Sequence, residues 1–404
     1  MPQMVMGMRL LRPEKAVNGG CWAQEQVWCN GDAWFASLLD AIANAQRQVW
    51  LETYILARGQ LGERVVGALA AASRRGCEVR LLVDGVGAAA WFQHDSVDRL
   101  GFPLRVWHPL PWAAAWRAGV FPRWRWLASI NRRDHRKVCL IDGAQAWVGS
   151  FNVDDCHLQE FSGDQAWRDC GAAVRGDGVA TLIAAYEHTW RRSWPMTAGR
   201  LRLRAHLTAR LGVGQPQPAV MGRPASNLVR LNHTWATRRA AYRDLLRRIR
   251  RASTRIWITN AYVVPRGTLM RALGAAARRG VDVRLLVPAH ADIAFMPWVG
   301  AVFADSLHAL GVRIFAYLPG MLHAKTMLID DLALVGSHNL NSRSFRHDLE
   351  AEVVLSAPTS MAALEQTFAD DCARSRELLG SASAELTWIQ RRLGRLLVLA
   401  KWFL

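Results

Sequence analysis

The sequence predicts an α/β fold of two pseudo-symmetric halves rich in βαβ units, and three observations predict it. Residues 74–83 read RRGCEVRLLV and residues 278–287 read RRGVDVRLLV. Each copy follows an apolar, β-branched run (QVWLETYIL from 48, RIWITNAYVV from 255) and an Ala-rich stretch (ERVVGALAAASRRG, LMRALGAAARRG). Finally, HRKVCLID at 135–142 returns as HAKTMLID at 323–330, followed by AQAWVGSFN and LALVGSHN. Repetition of several segments in one order marks a duplicated chain.

Taken in order, each half spells strand, helix, strand. The Ala-rich stretches are strong helix formers, and Gly76 and Gly280 stand where such helices end. A strand that returns through a helix pairs in parallel by a right-handed crossover. PLRVWHP and VRIFAYLP read as a further strand, and the octets as the next. VATLIAAYEHTWRRSW reads as a long basic helix closing the first half. The expected division is an N-terminal segment 1–26, a first half 27–195, a Gly/Pro/Arg-rich linker 196–227, a second half 228–375 and a C-terminal amphipathic segment 376–404.

Composition sets the surroundings. Half of the 404 residues are hydrophobic (51%) and 21% are charged, which suits a packed globular chain rather than disorder. Lys and Arg number 51 against 33 Asp and Glu, a net charge of +18, so the surface field favours polyanions: nucleic acid or an anionic membrane. A merely solubilising basic surface fits the same number. The 19 tryptophans against five tyrosines fit an interfacial belt, a large core or base stacking. The seven cysteines lack a paired CxxC spacing and read as free thiols in a reducing compartment. The first residues lack a signal-peptide pattern, and no run reaches the roughly 18 apolar residues of a spanning helix, so a cytosolic, soluble or peripheral protein is expected.

The octets carry the chemistry. As a strand, each places His135 with Lys137, or His323 with Lys325, on one face, and buries the apolar residues that follow. Asp142 and Asp330 fall at the strand ends beside turn residues. Ser150 and Asn152, and Ser337 and Asn339, add hydroxyls and amides suited to binding or supporting a tetrahedral phosphate. One neutral imidazole can attack phosphorus while the other, protonated, gives its proton to the departing alkoxide. The lysines neutralise the remaining oxygens, so the scheme calls for no metal and no cofactor. A single His-x-Lys usually means only a surface strand; two copies with matching Gly-Ser-x-Asn do not.

The pair His135-x-Lys137-x4-Asp142 and His323-x-Lys325-x4-Asp330, each followed by Gly-Ser-x-Asn, resembles the doubled HKD motifs of the phospholipase D superfamily. Within it, VWLETYI, NRRDHRKVCLIDG, NAYVVP, LHAKTMLID and VGSHNLNSRS are most like the bacterial cardiolipin synthases, over about Val27–Val354. The resemblance implies two halves, each a mixed sheet flanked by helices, sharing one cleft. It also implies a covalent phosphohistidine intermediate and a downstream carboxylate orienting each histidine, for which Asp169 and Glu350 are placed. Asp142 and Asp330 would then mainly brace the strand ends. Asp348 stands where many relatives carry an amide, and the first Gly-Ser-x-Asn lies one residue further from its Asp than the second.

The implied reaction moves a phosphatidyl group from one phosphatidylglycerol to another, releasing glycerol, on the inner face of a bacterial cell membrane. Two segments suit an anionic bilayer. Residues 107–133 interleave Trp112, Trp116, Trp124 and Trp126 with Arg123, Arg125 and other arginines, as expected at such an interface; an insertion packed on the core is the alternative. LTWIQRRLGRLLVLAKWFL, at the C-terminus, suits a helix lying in the interface or one covering a groove. A hydrolase or a transferase with another acceptor alcohol would use the same catalytic residues. A nuclease of the superfamily would use the charge for DNA, but no nucleic-acid module is evident, so nucleic acid is a poor match as partner.

Overall fold

Two eight-stranded mixed sheets carry the two halves. The computed structural model describes residues 20–92, 100–109, 131–196 and 227–399. The first half runs β1 (Gln24–Trp28), α1 (Gly31–Asn44), β2 (Gln48–Thr53), α2 (Gln60–Arg74), β3 (Glu78–Asp84), β4 (Leu104–Trp107), β5 (Val138–Ile141), β6 (Gln145–Gly149), β7 (Gly171–Arg175), α3 (Val179–Arg192) and β8 (Trp194–Met196). The second runs β9 (Val229–Leu231), α4 (Trp235–Arg251), β10 (Arg255–Asn260), α5 (Gly267–Arg278), β11 (Asp282–Pro288), α6 (Met296–His308), β12 (Arg313–Tyr317), β13 (Lys325–Ile329), β14 (Leu332–Gly336), β15 (Ala351–Leu355), α7 (Pro358–Ala373) and β16 (Ser375–Glu377). A last helix, α8 (Trp388–Leu399), packs on α6.

The sheet orders are β1-β7-β6-β5-β2-β3-β4-β8 and β16-β12-β11-β10-β13-β14-β15-β9, one the mirror listing of the other. The expected βαβ units are present: β2 and β3 pair in parallel through α2, and β10 and β11 through α5. Gly76 and Gly280 do end these helices, at φ +96° and +88°, where a side chain would be strained. β1 begins at Gln24 and β16 ends at Glu377, a few residues outside the bounds read from sequence.

Alternation along the strands builds two kinds of core. Val49 and Leu51 of β2 face α1 and α2, whereas Trp50 between them joins a core shared with the second half. That shared core takes Val138, Leu140 and Val148 from one sheet and Leu328, Ala333 and Val335 from the other, with Tyr186 of α3 and Phe368 of α7. The halves therefore meet through a hydrophobic layer of the kind that makes two units one body.

Two expectations are corrected. The octets are strands only from Val138 and from Lys325 onward. His135 and His323 sit just before, where the chain leaves its own sheet: the His135 N–H donates to Leu349 O and the His323 N–H to Arg168 O, each in the other half. The cysteines are not all free either. Cys29, after β1, and Cys170, before β7, are joined, because the antiparallel pairing of Trp28 with Gly171 brings them to a Cα separation of 4.1 Å. Residues 141 apart in the chain give no local sign of this, and the argument from free thiols to a reducing compartment lapses. Trp112, Trp116, Arg123, Trp124, Arg125 and Trp126 lie outside the described residues. Of the same segment, Trp107 and Arg133 are buried, the latter against Asp84.

Asp142 and Asp330 close the motif strands in left-handed turns, at φ +53° and +50°. Asp142 accepts the backbone N–H groups of Gln46, Arg47 and Gln48, and Asp330 those of Ser253, Thr254 and Arg255. Each carboxylate thus ties the end of one strand to the start of its neighbour, β2 or β10. Partial burial pushes both pKa values up, but the backbone donors outweigh it and hold them below the usual carboxylate value. Their stabilisation is therefore complete above the unfolded pKa of about 3.9 and lost as pH falls through the lower folded value. Asp142→Ala, leaving three donors without their acceptor, is expected to lower stability by about 2–4 kcal/mol, with Asp142→Asn less damaging; denaturant titration at neutral and acid pH reads both.

Candidate active site

The two motifs meet through a crossed exchange between the halves. Asp134 bridges Leu349, and Arg168 bridges Leu322, as isolated pairs of extended residues. Each bridge sets a histidine of one half beside a carboxylate of the other. His135 Nδ1–H donates to Glu350 Oε2 at 3.1 Å, sharing its proton with Ser337 O at 3.1 Å. His323 Nδ1–H donates to Asp169 Oδ1 at 2.8 Å. The carboxylate downstream of the first motif thus serves the second histidine, and the reverse. With Nδ1 protonated and held, Nε2 is the reactive nitrogen in both rings.

The electrostatics follow from burial. Burial, then the Lys137 charge, pulls the His135 pKa down against the pull of Glu350. Burial, then the Lys325 charge, takes His323 to about 3 despite Asp169. The carboxylates stay ionised: burial alone would raise them, but the imidazoles facing them bring Glu350 to about 2 and Asp169 well below its ordinary value. Lys137 and Lys325 are almost fully buried, and each amine donates to the carbonyl of its own motif's histidine. Burial lowers them to about 7 and about 8. Each lysine also disfavours protonation of the other motif's histidine, so both motifs form one electrostatic site.

The Gly-Ser-x-Asn residues divide their work. Ser150 Oγ donates to Cys170 O and accepts Cys170 N–H, clipping the chain beside Asp169. Ser337 Oγ donates to Glu350 Oε2. Both serines are thus occupied with support. Asn152 and Asn339 are buried, and Asn339 Oδ1 has no hydrogen-bond partner. Asp348 is compensated by Arg343 at 2.8 Å and accepts Arg133 N–H.

Sequence reasoning passed over three residues. Tyr54 and Tyr262, repeated in ETYI and NAYV, stand beside His135 and His323 with ring centroids 5.1 and 6.5 Å away. Their repetition was a usable signal. His157 was not repeated and is buried against Asp169, its Nδ1 2.9 Å from Oδ2. Asn152 N–H donates to His157 Nε2 at 3.2 Å, so the proton resides on Nδ1 and faces the carboxylate. The N–H and oxygen are out of line for a full hydrogen bond, and the contact is chiefly electrostatic. At Glu350 a hydroxyl takes the corresponding place: Ser344 Oγ donates to its Oε1 at 2.6 Å.

Two imidazole–carboxylate pairs and two buried ammonium groups form a site that can hold a phosphodiester and pass protons on either side of it. The family described as cardiolipin synthase, PLD-like domain, matches the chain twice, at residues 38–161 and 245–372. Cardiolipin synthase A of Pseudomonas fluorescens is 30% identical over 381 residues, covering 92% of this chain and 73% of that protein. Cardiolipin synthase 2 of Bacillus anthracis is 29% identical, covering 90% of this chain and 67% of that one. This chain spans about two thirds of the length of such relatives. The crystal structure of phosphatidylserine synthase from Haemophilus influenzae superposes with a TM-score of 0.69 at 13% identity, covering 96% of both chains, a likeness of fold. With both motifs inside the matched repeats, this chain belongs to the phospholipase D superfamily, in the family of cardiolipin synthase PLD-like domains.

Proposed function

We propose that the chain is a phosphatidyltransferase that joins two phosphatidylglycerol molecules into cardiolipin and releases glycerol, at the inner face of a bacterial cell membrane. The observation that carries this reading is the crossed pair His135–Glu350 and His323–Asp169 around two buried lysines, on a chain of this family. Nε2 of one imidazole attacks phosphorus; a P–N bond forms as the P–O bond to the headgroup glycerol breaks. The other imidazole, as imidazolium, protonates the departing alkoxide. It then takes the proton from the headgroup hydroxyl of a second phosphatidylglycerol, whose oxygen displaces the first imidazole. Lys137 and Lys325 balance the phosphoryl charge, and the anionic substrate itself supplies the field that favours protonating one histidine in a site that holds both neutral when empty. Among the described residues no helix is long and apolar enough to cross a membrane.

Purified protein on phosphatidylglycerol vesicles is expected to yield cardiolipin and free glycerol in equal amounts. Phosphatidic acid alone would make it a hydrolase, and cleavage of plasmid DNA without lipid turnover would sink the reading. His135→Ala and His323→Ala should each lower the rate by about 10²–10⁴-fold or more, the range of general acid–base catalysis; near-normal turnover by either contradicts the paired roles. Because the lysines of the free protein lose their charge as pH rises past about 7 and about 8, kcat/KM should fall on that alkaline side, and Lys137→Arg should move the fall upward.

His157 acts as a positioning residue through Asp169. His157→Phe is expected to reduce kcat on the order of tenfold at similar KM, with His157→Asn recovering part of it. Losing the His157 proton leaves more of the Asp169 charge to His323, so the His323 pKa, measured by NMR, should rise from about 3. A loss of activity accompanied by an unchanged His323 titration would reduce His157 to a packing residue.

A further inference from the structure

The strongest unexplained surface is the outer face of α8. The helix is held from one side only. Gly394 lies so close to Trp298 of α6 that a Cβ there would come within 2.6 Å of its carbonyl oxygen. Leu397 and Val398 pack into the small core of Val264, Met296, Val299 and Phe303. At 100° per residue, the opposite side of the helix collects Trp388, Ile389, Leu393, Leu396 and Leu399. Their exposures are 65%, 61%, 39%, 61% and 74%, half of the large exposed hydrophobic side chains among the described residues. Scattered apolar residues are normal on a surface; five gathered on one helix face are not.

Its charge and place say what covers it. The helix carries Arg391, Arg392 and Arg395 and no carboxylate. Arg395 is exposed at the edge of this face and Arg392 within it, the Arg392 guanidinium 5.2 Å from the Trp388 ring. An apolar face with a tryptophan at one end and long arginines that can lift their guanidinium groups to the headgroups matches the boundary between acyl chains and an anionic surface. The core that holds Leu397 and Val398 also takes Tyr262, whose ring borders His323. The inner side of α8 therefore packs on a core that borders the reactive site.

From this we infer that α8 lies in the surface of an anionic bilayer and docks the chain there, so that lipid headgroups are presented to His135 and His323 without leaving the membrane. The inference rests on the phosphatidyl-transfer reading for its purpose but not for its measurement. Both Ile389 and Leu396 are exposed, so Ile389→Glu with Leu396→Glu should leave the thermal transition unchanged. The wild-type chain should co-sediment with phosphatidylcholine vesicles containing phosphatidylglycerol and bind vesicles of phosphatidylcholine alone more weakly. The double variant should bind the anionic vesicles more weakly by about tenfold or more for each withdrawn side chain. It should lose turnover of vesicle substrate while still turning over a short-chain phosphatidylglycerol dissolved as monomers. Arg392→Gln with Arg395→Gln should erase the preference for anionic vesicles. Unchanged vesicle binding by the double apolar variant overturns the inference. So does a wild-type dimer that the variant dissociates with vesicle binding intact, for then the face covers a second copy of the chain. Failure of the wild type on both forms of the lipid would refute the transfer reading, while the sedimentation result would still decide the docking.

Discussion

Everything in this molecule depends on one exchange: each half supplies the carboxylate that holds the other half's imidazole. Asp169 and Glu350 are wholly enclosed, and an enclosed carboxylate without a partner is costly. Separated, each half would lose the imidazole that its carboxylate faces and leave its own histidine unheld. The shared hydrophobic layer, the bridges at Asp134–Leu349 and Arg168–Leu322, and the reactive site are thus a single constraint met three ways. The two sheets converge because the charges of the site require it as much as because their apolar faces do.

Within that frame the charges are set against one another. Two lysines lowered by burial face two carboxylates kept ionised by imidazoles, which leaves the empty site close to balance. A phosphodiester entering such a site meets ammonium groups whose protonation its own charge reinforces. Preorganised groups of this sort need little rearrangement when negative charge builds on the phosphoryl oxygens. Tyr54 stands beside the His135 ring, and Trp167 and Tyr262 beside that of His323.

Much of the plan was legible in the sequence because duplication writes it twice. RRGCEVRLLV and RRGVDVRLLV located the parallel strands, the octets located both histidines and lysines, and Asp142 and Asp330 were read as braces, which their backbone contacts match. What repetition could not convey was anything that differs between the copies or arises between them. The crossing of Asp169 and Glu350 is a property of how two sheets meet, and no residue of either motif encodes it alone. His157 has no counterpart to flag it. Cys29 and Cys170 meet because β1 returns to the edge of β7, a pairing across most of a half. The octets looked like strands throughout because their apolar tails are strands; the histidines leave the sheet to reach the other half.

The unlike supports of the two carboxylates carry a further meaning. Asp169 leans on an imidazole and Glu350 on two hydroxyls, so the copies have parted company where they hold the reactive rings. A perfectly symmetric site would have no reason to attack from one side rather than the other. Here the two-fold plan is broken in its scaffolding rather than in its reactive atoms, which gives the site a direction. Direction can thus be written into the supports alone, while His135 with Lys137 and His323 with Lys325 remain paired as twins.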